Sequence, residues 1–227
     1  MAERHRSSSA TEKAGPLLRA RRLLGRVRRR FALDTFDVFA RHVAPGDERF
    51  EPPAGYRFRF GEPADVEACD EHHTELDERE RREGVARLGV GHQVVLGQHG
   101  DRTVFTMWVN PRNVNIPGHV KRPLSADRSF IYKAYSSPEH RGRGLYEAGM
   151  RFVLADLARQ GKRSLLGYAH VKKGISRKGL AALGFESLGR FRTLSALGWR
   201  RTFVSKELAA SLPLAPQRST EPATSAR

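Results

Sequence analysis

Arg141-Gly-Arg-Gly144-Leu-Tyr146 lies between an apolar run, Phe130-Ile-Tyr-Lys-Ala-Tyr135, and a helical pattern that carries Tyr146, Met150, Val153 and Leu157 on one stripe. The chemistry such a turn suits is anion binding. Gly142 and Gly144 put no Cβ in the way of an approaching ligand, and the first amides of the following helix lack intrahelical partners at the positive end of its dipole. A pyrophosphate fits there. A second cluster sits in the acidic stretch 65–83, which holds His72, His73, Glu75 and Asp77. Adjacent histidines on a helix point in different directions, so no metal site is expected; the stretch reads either as a solvated helix or as carboxylates that draw a cationic amine. Met107 and Trp108 on a neighbouring apolar run read as core.

The rest of the composition narrows the partners. The chain has 227 residues, 39% of them hydrophobic, and a formal net charge of +16, which calls for an anionic partner without choosing among nucleic acid, acidic protein, anionic lipid and a phosphate-rich cofactor. One cysteine, Cys69, excludes an internal disulfide and any multi-thiolate metal site. The lone cysteine suits a reducing compartment, so a cytoplasmic protein is expected, and no apolar run reaches the roughly 20 residues of a membrane span, so it is expected to be soluble or peripheral to a membrane.

Around the turn, hydrophobic periodicity sets out the elements. Residues 1–55 read as a basic N-terminal extension: a polar, Ser-rich start, a basic amphipathic helix over 16–31 with seven arginines and no acid, and a short strand over 35–43. A folded domain is expected over 56–206 and a disordered tail over 207–227. Within the domain, Tyr56–Phe60 alternates as a strand, Glu62-Pro-Ala-Asp65 opens a helix with Val66, Cys69 and Leu76 inward, and 92–98 with 102–110 form a hairpin. Residues 111–128 read as a long loop, either lying over a site or a surface insertion. Strands over 130–135 and 164–171 flank the helix after the turn, a short helix spans 174–183, and two final strands precede the tail.

This order of elements, with the glycine turn and a Gly184-Phe185 pair downstream, resembles the GNAT superfamily of acyl-coenzyme A-dependent N-acyltransferases. Arg141-Gly-Arg-Gly144 matches the family's basic residue and central glycine, and Ser176 precedes Gly184-Phe185 at the family's interval; Tyr146 and Lys173 depart from its pattern. The resemblance implies an α+β fold, a mostly antiparallel central sheet splayed at the cofactor site with helices on both faces. It implies that amides of Arg141, Gly142, Arg143, Gly144 and Leu145 hold the coenzyme A pyrophosphate, that the strand edge at Tyr135 and Ser136 pairs with pantetheine, and that Ser176 contributes nearby. Acetyl-coenzyme A or another acyl-coenzyme A is then the donor, a small-molecule amine or amino sugar the acceptor, and no metal takes part.

The family's proton-transfer residues are missing. Leu180 stands where many members carry a tyrosine acid, and there is no carboxylate between Phe130 and Ser137. His170 and Tyr168, which share a strand face beside the expected thioester, are the replacements considered, with His170 as base because imidazole titrates in the useful range. Two alternatives use the charge differently. One is a GNAT-fold protein without turnover that binds RNA or an anionic membrane through residues 16–31, nucleic acid being the less favoured because the basic helix lacks interleaved aromatics. The other draws the acyl group from an acidic acyl carrier protein.

Overall fold

The structure is a computed structural model that describes residues 31–116, 119–196 and 199–212. Eight strands form the main sheet: β1 (Phe31–His42), β2 (Tyr56–Gly61), β3 (Gln93–His99), β4 (Arg102–Asn110), β7 (Arg128–Ser136), β8 (Ser164–His170), β9 (Glu186–Ala196) and β10 (Trp199–Val204). Their spatial order is β10-β9-β1-β8-β7-β4-β3-β2. Every junction is antiparallel except β7 with β8. Residues expected as a loop before β7 instead pair as a small hairpin, β5 (Asn113–Ile116) with β6 (Val120–Pro123), because Val114 and Ile116 have apolar surface to bury under the sheet.

Helices cover both faces. On one face α4 (Leu145–Arg159) and α5 (Gly174–Ala182) pack Leu145, Met150, Val153, Leu157 and Leu180 against Phe105, Met107 and Ile131. Gly149 lets α4 come this close: a Cβ there would lie 2.5 Å from the Phe105 ring. The opposite face carries α1 (Pro63–Glu67), α2 (Glu71–Thr74) and α3 (Glu78–Gly89), where Val66, Cys69 and Leu76 meet Val94, Leu96 and Trp108. The acidic stretch is thus three short helices, begun by the capping box of Glu62 with Asp65 and by the Asp70 and Asp77 caps.

The domain boundaries expected from sequence need correction. The segment assigned to an N-terminal extension contains β1, an interior strand that pairs with β8 on one side and β9 on the other. Its Val38 and Ala40 enter one core and Phe39 the other, and its buried Asp37 is neutralised by Arg190 at 2.6 Å and Arg177 at 3.2 Å. Those partners lie about 140 to 150 residues away in sequence, so nothing local marks Asp37 as a core residue. At the other end α6 (Lys206–Ser211) packs Leu208 and Leu212 against the sheet, inside what reads as tail. The basic helix over 16–30, the Ser-rich start and the tail beyond 212 lie outside the described residues.

Candidate active site

Strands β7 and β8 pair at three positions only, Arg128↔Ser164, Ser129↔Leu165 and Phe130↔Leu166. Beyond Phe130 both strands continue but part, leaving a cleft of about 460 Å³ through the middle of the sheet. The expected splay is therefore present. Ile131 to Ala134 line one wall and Gly167 to His170 the other, while Tyr146 and Met150 of α4 and Ser176 and Leu180 of α5 border one face.

At the head of α4, a 3-10 turn (Pro138–His140) leads into Arg141, and Gly142 and Gly144 then adopt φ of 75° and 74°. Side chains other than glycine rarely take up that left-handed conformation. No side chain caps the helix, and ideal Cβ atoms at both glycines would point into open space. Its leading amides are therefore left without a side-chain acceptor beside open space, as a phosphate site requires. Arg141 donates to the Ser136 carbonyl at 3.3 Å and lies over the Tyr135 ring, while Arg143 donates to Tyr56 Oη at 3.3 Å. Tyr56 in turn meets His140 Nδ1 at 2.8 Å. The Leu145 side chain is buried, so that residue can offer only its amide.

Tyr135 and Ser136 pair with Thr106 and Phe105 of β4. Their other strand edge faces the side from which β8 has diverged. Between Tyr132 and Tyr135 the β4–β7 register slips, with two residues of β7, Lys133 and Ala134, opposite one of β4. Lys133 takes φ 47°. Such a bulge leaves its extra residue out of the ladder. Among the described residues, Glu75 (φ 58°) is the other non-glycine with positive φ, and both residues line the cleft. Strained backbone of this kind concentrates at functional sites.

Of the sequence candidates, Tyr168 and His170 do share the cleft wall. Tyr168 stacks on Phe130, and burial raises its pKa above the ordinary phenol value. His170 is not the free base that its position at the strand end suggests. Its Nδ1 accepts from the Lys172 amide at 3.1 Å, its Nε2 faces Asp34 at 3.6 Å, and its ring meets Phe36 edge-on. Tyr146 lies against the cleft, its pKa pushed up to about 12 by burial.

The expectation that adjacent histidines diverge also needs correction. His72 presents Nε2 and His73 presents Nδ1, and both reach Glu139 at 3.5 and 3.6 Å, just ahead of the glycine turn. These three ligand-capable atoms lie within 4.8 Å of one another. Cys69 is buried, its pKa raised to about 11, and so remains a packed thiol.

Sequence reading missed several polar residues that the fold gathers at the cleft. Glu75 reaches it from the end of α2, and Lys133 from the bulge, where its Nζ holds Glu80 at 2.7 Å. Tyr132 lines it beside β8, with its hydroxyl against His92. Of these, only Glu75 lies in a stretch that its charge marks out.

No protein-family model matches the sequence, and no curated protein is similar to it. Solved structures are similar. A GCN5-related N-acetyltransferase from Sphaerobacter thermophilus superposes with a TM-score of 0.52 at 18% identity, covering 82% of this chain and 56% of that one. A GNAT-family protein from Novosphingobium aromaticivorans gives 0.50 at 17% identity, covering 72% and 64%. The chain thus spans less than two thirds of either. With the parted strands and the glycine turn, these likenesses establish that the chain has the GNAT fold.

Proposed function

We propose that the protein is an N-acyltransferase that moves an acyl group, acetyl in the first instance, from a coenzyme A thioester to a primary amine on a small cationic acceptor. The observation that carries this reading is the cleft where β7 and β8 part, bordered by the start of a helix whose uncapped N-terminus follows two left-handed glycines. In this reading the donor's pyrophosphate rests on the amides at 141–145 between Arg141 and Arg143. Pantetheine runs along the open β7 edge at Tyr135 and Ser136, which brings the thioester to the bulge at Lys133 and Ala134. Ser176 stands beside it on α5.

An alkylammonium with a pKa near 10.4 is deprotonated in only about one molecule in a few thousand at pH 7, a deficit of ~4.6 kcal/mol. The site must offset that. Glu75, an exposed residue that lines the cleft, is the carboxylate placed to attract the ammonium and take its proton, while the Nδ1 lone pair of His170 is taken by the Lys172 amide. The freed lone pair then attacks the thioester carbon. The C–N bond forms as the C–S bond breaks, the bonding pair leaves on sulfur, the new amide nitrogen gives its surplus proton to solvent, and solvent protonates the thiolate. Positioning and polarisation suffice for this direct transfer.

A melting screen with coenzyme A and acyl-coenzyme A, followed by a thiol-release assay over a library of amines, tests the proposal. Stabilisation by the thioester together with amine-dependent thiol release is the expected result. Stabilisation without release from any amine, or from acyl carrier protein alone, would replace it with a binding role or another donor.

A further inference from the structure

A hydrogen-bond chain behind the cleft has its proton positions fixed from one end. The amides of Arg112 and Asn113 both donate to Asn110 Oδ1, at 2.9 and 3.0 Å. Because two donors face that atom it must be the oxygen, and Asn110 therefore turns its NH2 toward His92 Nε2, 3.1 Å away. Nε2 is thus the acceptor nitrogen. In a neutral imidazole the proton then resides on Nδ1, which donates to Tyr132 Oη. His92 is kept neutral by its surroundings: burial first, then Arg87 and Arg112, lower its pKa.

With its oxygen already accepting from His92, the Tyr132 hydroxyl proton must point elsewhere, and no acceptor among the described residues takes it. Tyr132 lines the cleft beside the bulge, next to Lys133. Burial raises its pKa above that of an ordinary phenol, so it keeps its proton and serves as a donor rather than as a base.

We propose that Tyr132 is a catalytic hydrogen-bond donor to the carbonyl oxygen of the bound thioester, aimed by His92 and Asn110. This rests on the acyltransferase reading above. The hydroxyl strengthens its bond as negative charge builds on that oxygen, and no proton is transferred by it. Removing one such donor from an oxyanion site costs about 10² to 10³ in rate. His92 and Asn110 are positioning residues: they touch Tyr132, not the substrate.

The test compares Tyr132→Phe with the wild type once an amine acceptor supports turnover. A kcat lower by about 10²-fold or more, with donor KM and melting temperature little changed, is expected. His92→Ala should lose much of the same rate, whereas His92→Asn, whose amide NH2 can replace the Nδ1–H donor, should recover most of it. Replacing Tyr132 with fluorotyrosines of increasing acidity gives the sign: rate held or raised supports a donor, and rate falling with acidity overturns it in favour of a base. Unchanged kcat in a folded Tyr132→Phe protein also overturns it. If the wild type turns over no amine, the acyltransferase reading fails, and the orientation is still decided by nitrogen NMR of the histidines. A proton on His92 Nδ1 upholds the donor geometry, and one on Nε2 alone overturns it.

Discussion

The two sides of the cleft are built in opposite ways. The glycine turn at 141–145 is made of consecutive residues and in the proposed reading works through backbone amides, with its side chains either exposed or, like Leu145, buried in the core. The opposing side is assembled from β1, the end of α2, β7 and β8, with His92 and Asn110 behind it, and in the proposed reading it works through side chains: Phe36, Glu75, Tyr132 and His170. A backbone site announces itself by glycine and spacing. A side-chain site of this kind has no sequence pattern, because its members become neighbours only when the sheet closes.

Breaking the wall at its structural base should have the largest effect. Deleting residues 1–55 removes β1, which lies between β8 and β9 and brings Phe36 to the cleft. The truncated protein should show no cooperative melt by circular dichroism, whereas deletion of residues 1–30, which keeps all of β1, should melt cooperatively. A cooperative melt of the longer deletion would restore the boundary before Tyr56.

The turn should break by one residue. Gly144→Asp adds a side chain at φ 74° and a negative charge where a phosphate would rest, so the melting shift given by acyl-coenzyme A should vanish. Gly144→Asn, whose side chain tolerates the left-handed region, should retain part of it. Equal shifts in wild type and Gly144→Asp would remove the turn from the donor site.

On the wall, Glu75→Gln should lower kcat by about 10²-fold, the lower range for losing a general base, and leave the donor's melting shift intact. His170→Gln sharpens the contrast. It should cost far less than about 10²-fold, because the imidazole lone pair at Nδ1 is already given to the Lys172 amide. A large loss with an altered pH profile would return the base to His170.

The smallest effect is on stability against pH. His92 and His119 have pKa values lowered chiefly by burial, so both are neutral in the fold and titrate near 6.5 when unfolded. The unfolded chain binds more protons below that pH. Stability present above about pH 6.5 should therefore fall as the pH drops through the folded-state values, and His92→Asn should flatten part of that slope in urea titrations. Near pH 4 and below a second decline is expected from Asp65, held at about 2 mainly by its hydrogen bonds from Arg59.

Much of the order of elements from Tyr56 to Val204 was legible, since the alternation of β2 to β4, the stripe on α4 and the glycines at 142, 144 and 184 are local signals. The strand β1 was only half legible. Its alternation is interrupted by Asp34 and Asp37, and the ion pairs that let Asp37 enter the core come from α5 and β9. The hairpin β5–β6 was hidden for a similar reason: a four-residue strand gains its stability from the surface it lands on.

By itself, the sequence marked the turn as a place that could take an anion, because two glycines and a helix start leave amides free of side-chain cover. It also determined the excess of positive charge and, with a single cysteine, excluded a multi-thiolate metal site. Only the tertiary structure decided which groups face the cleft and in what protonation. The positive φ at Glu75 belongs to the end of α2, and that at Lys133 to the bulge that forms only when β7 pairs with β4. The proton on His92 follows from two backbone amides 20 and 21 residues further along the chain, which orient Asn110 and through it the imidazole. A side chain's direction and its proton are properties of its neighbours, and those neighbours are chosen by the fold.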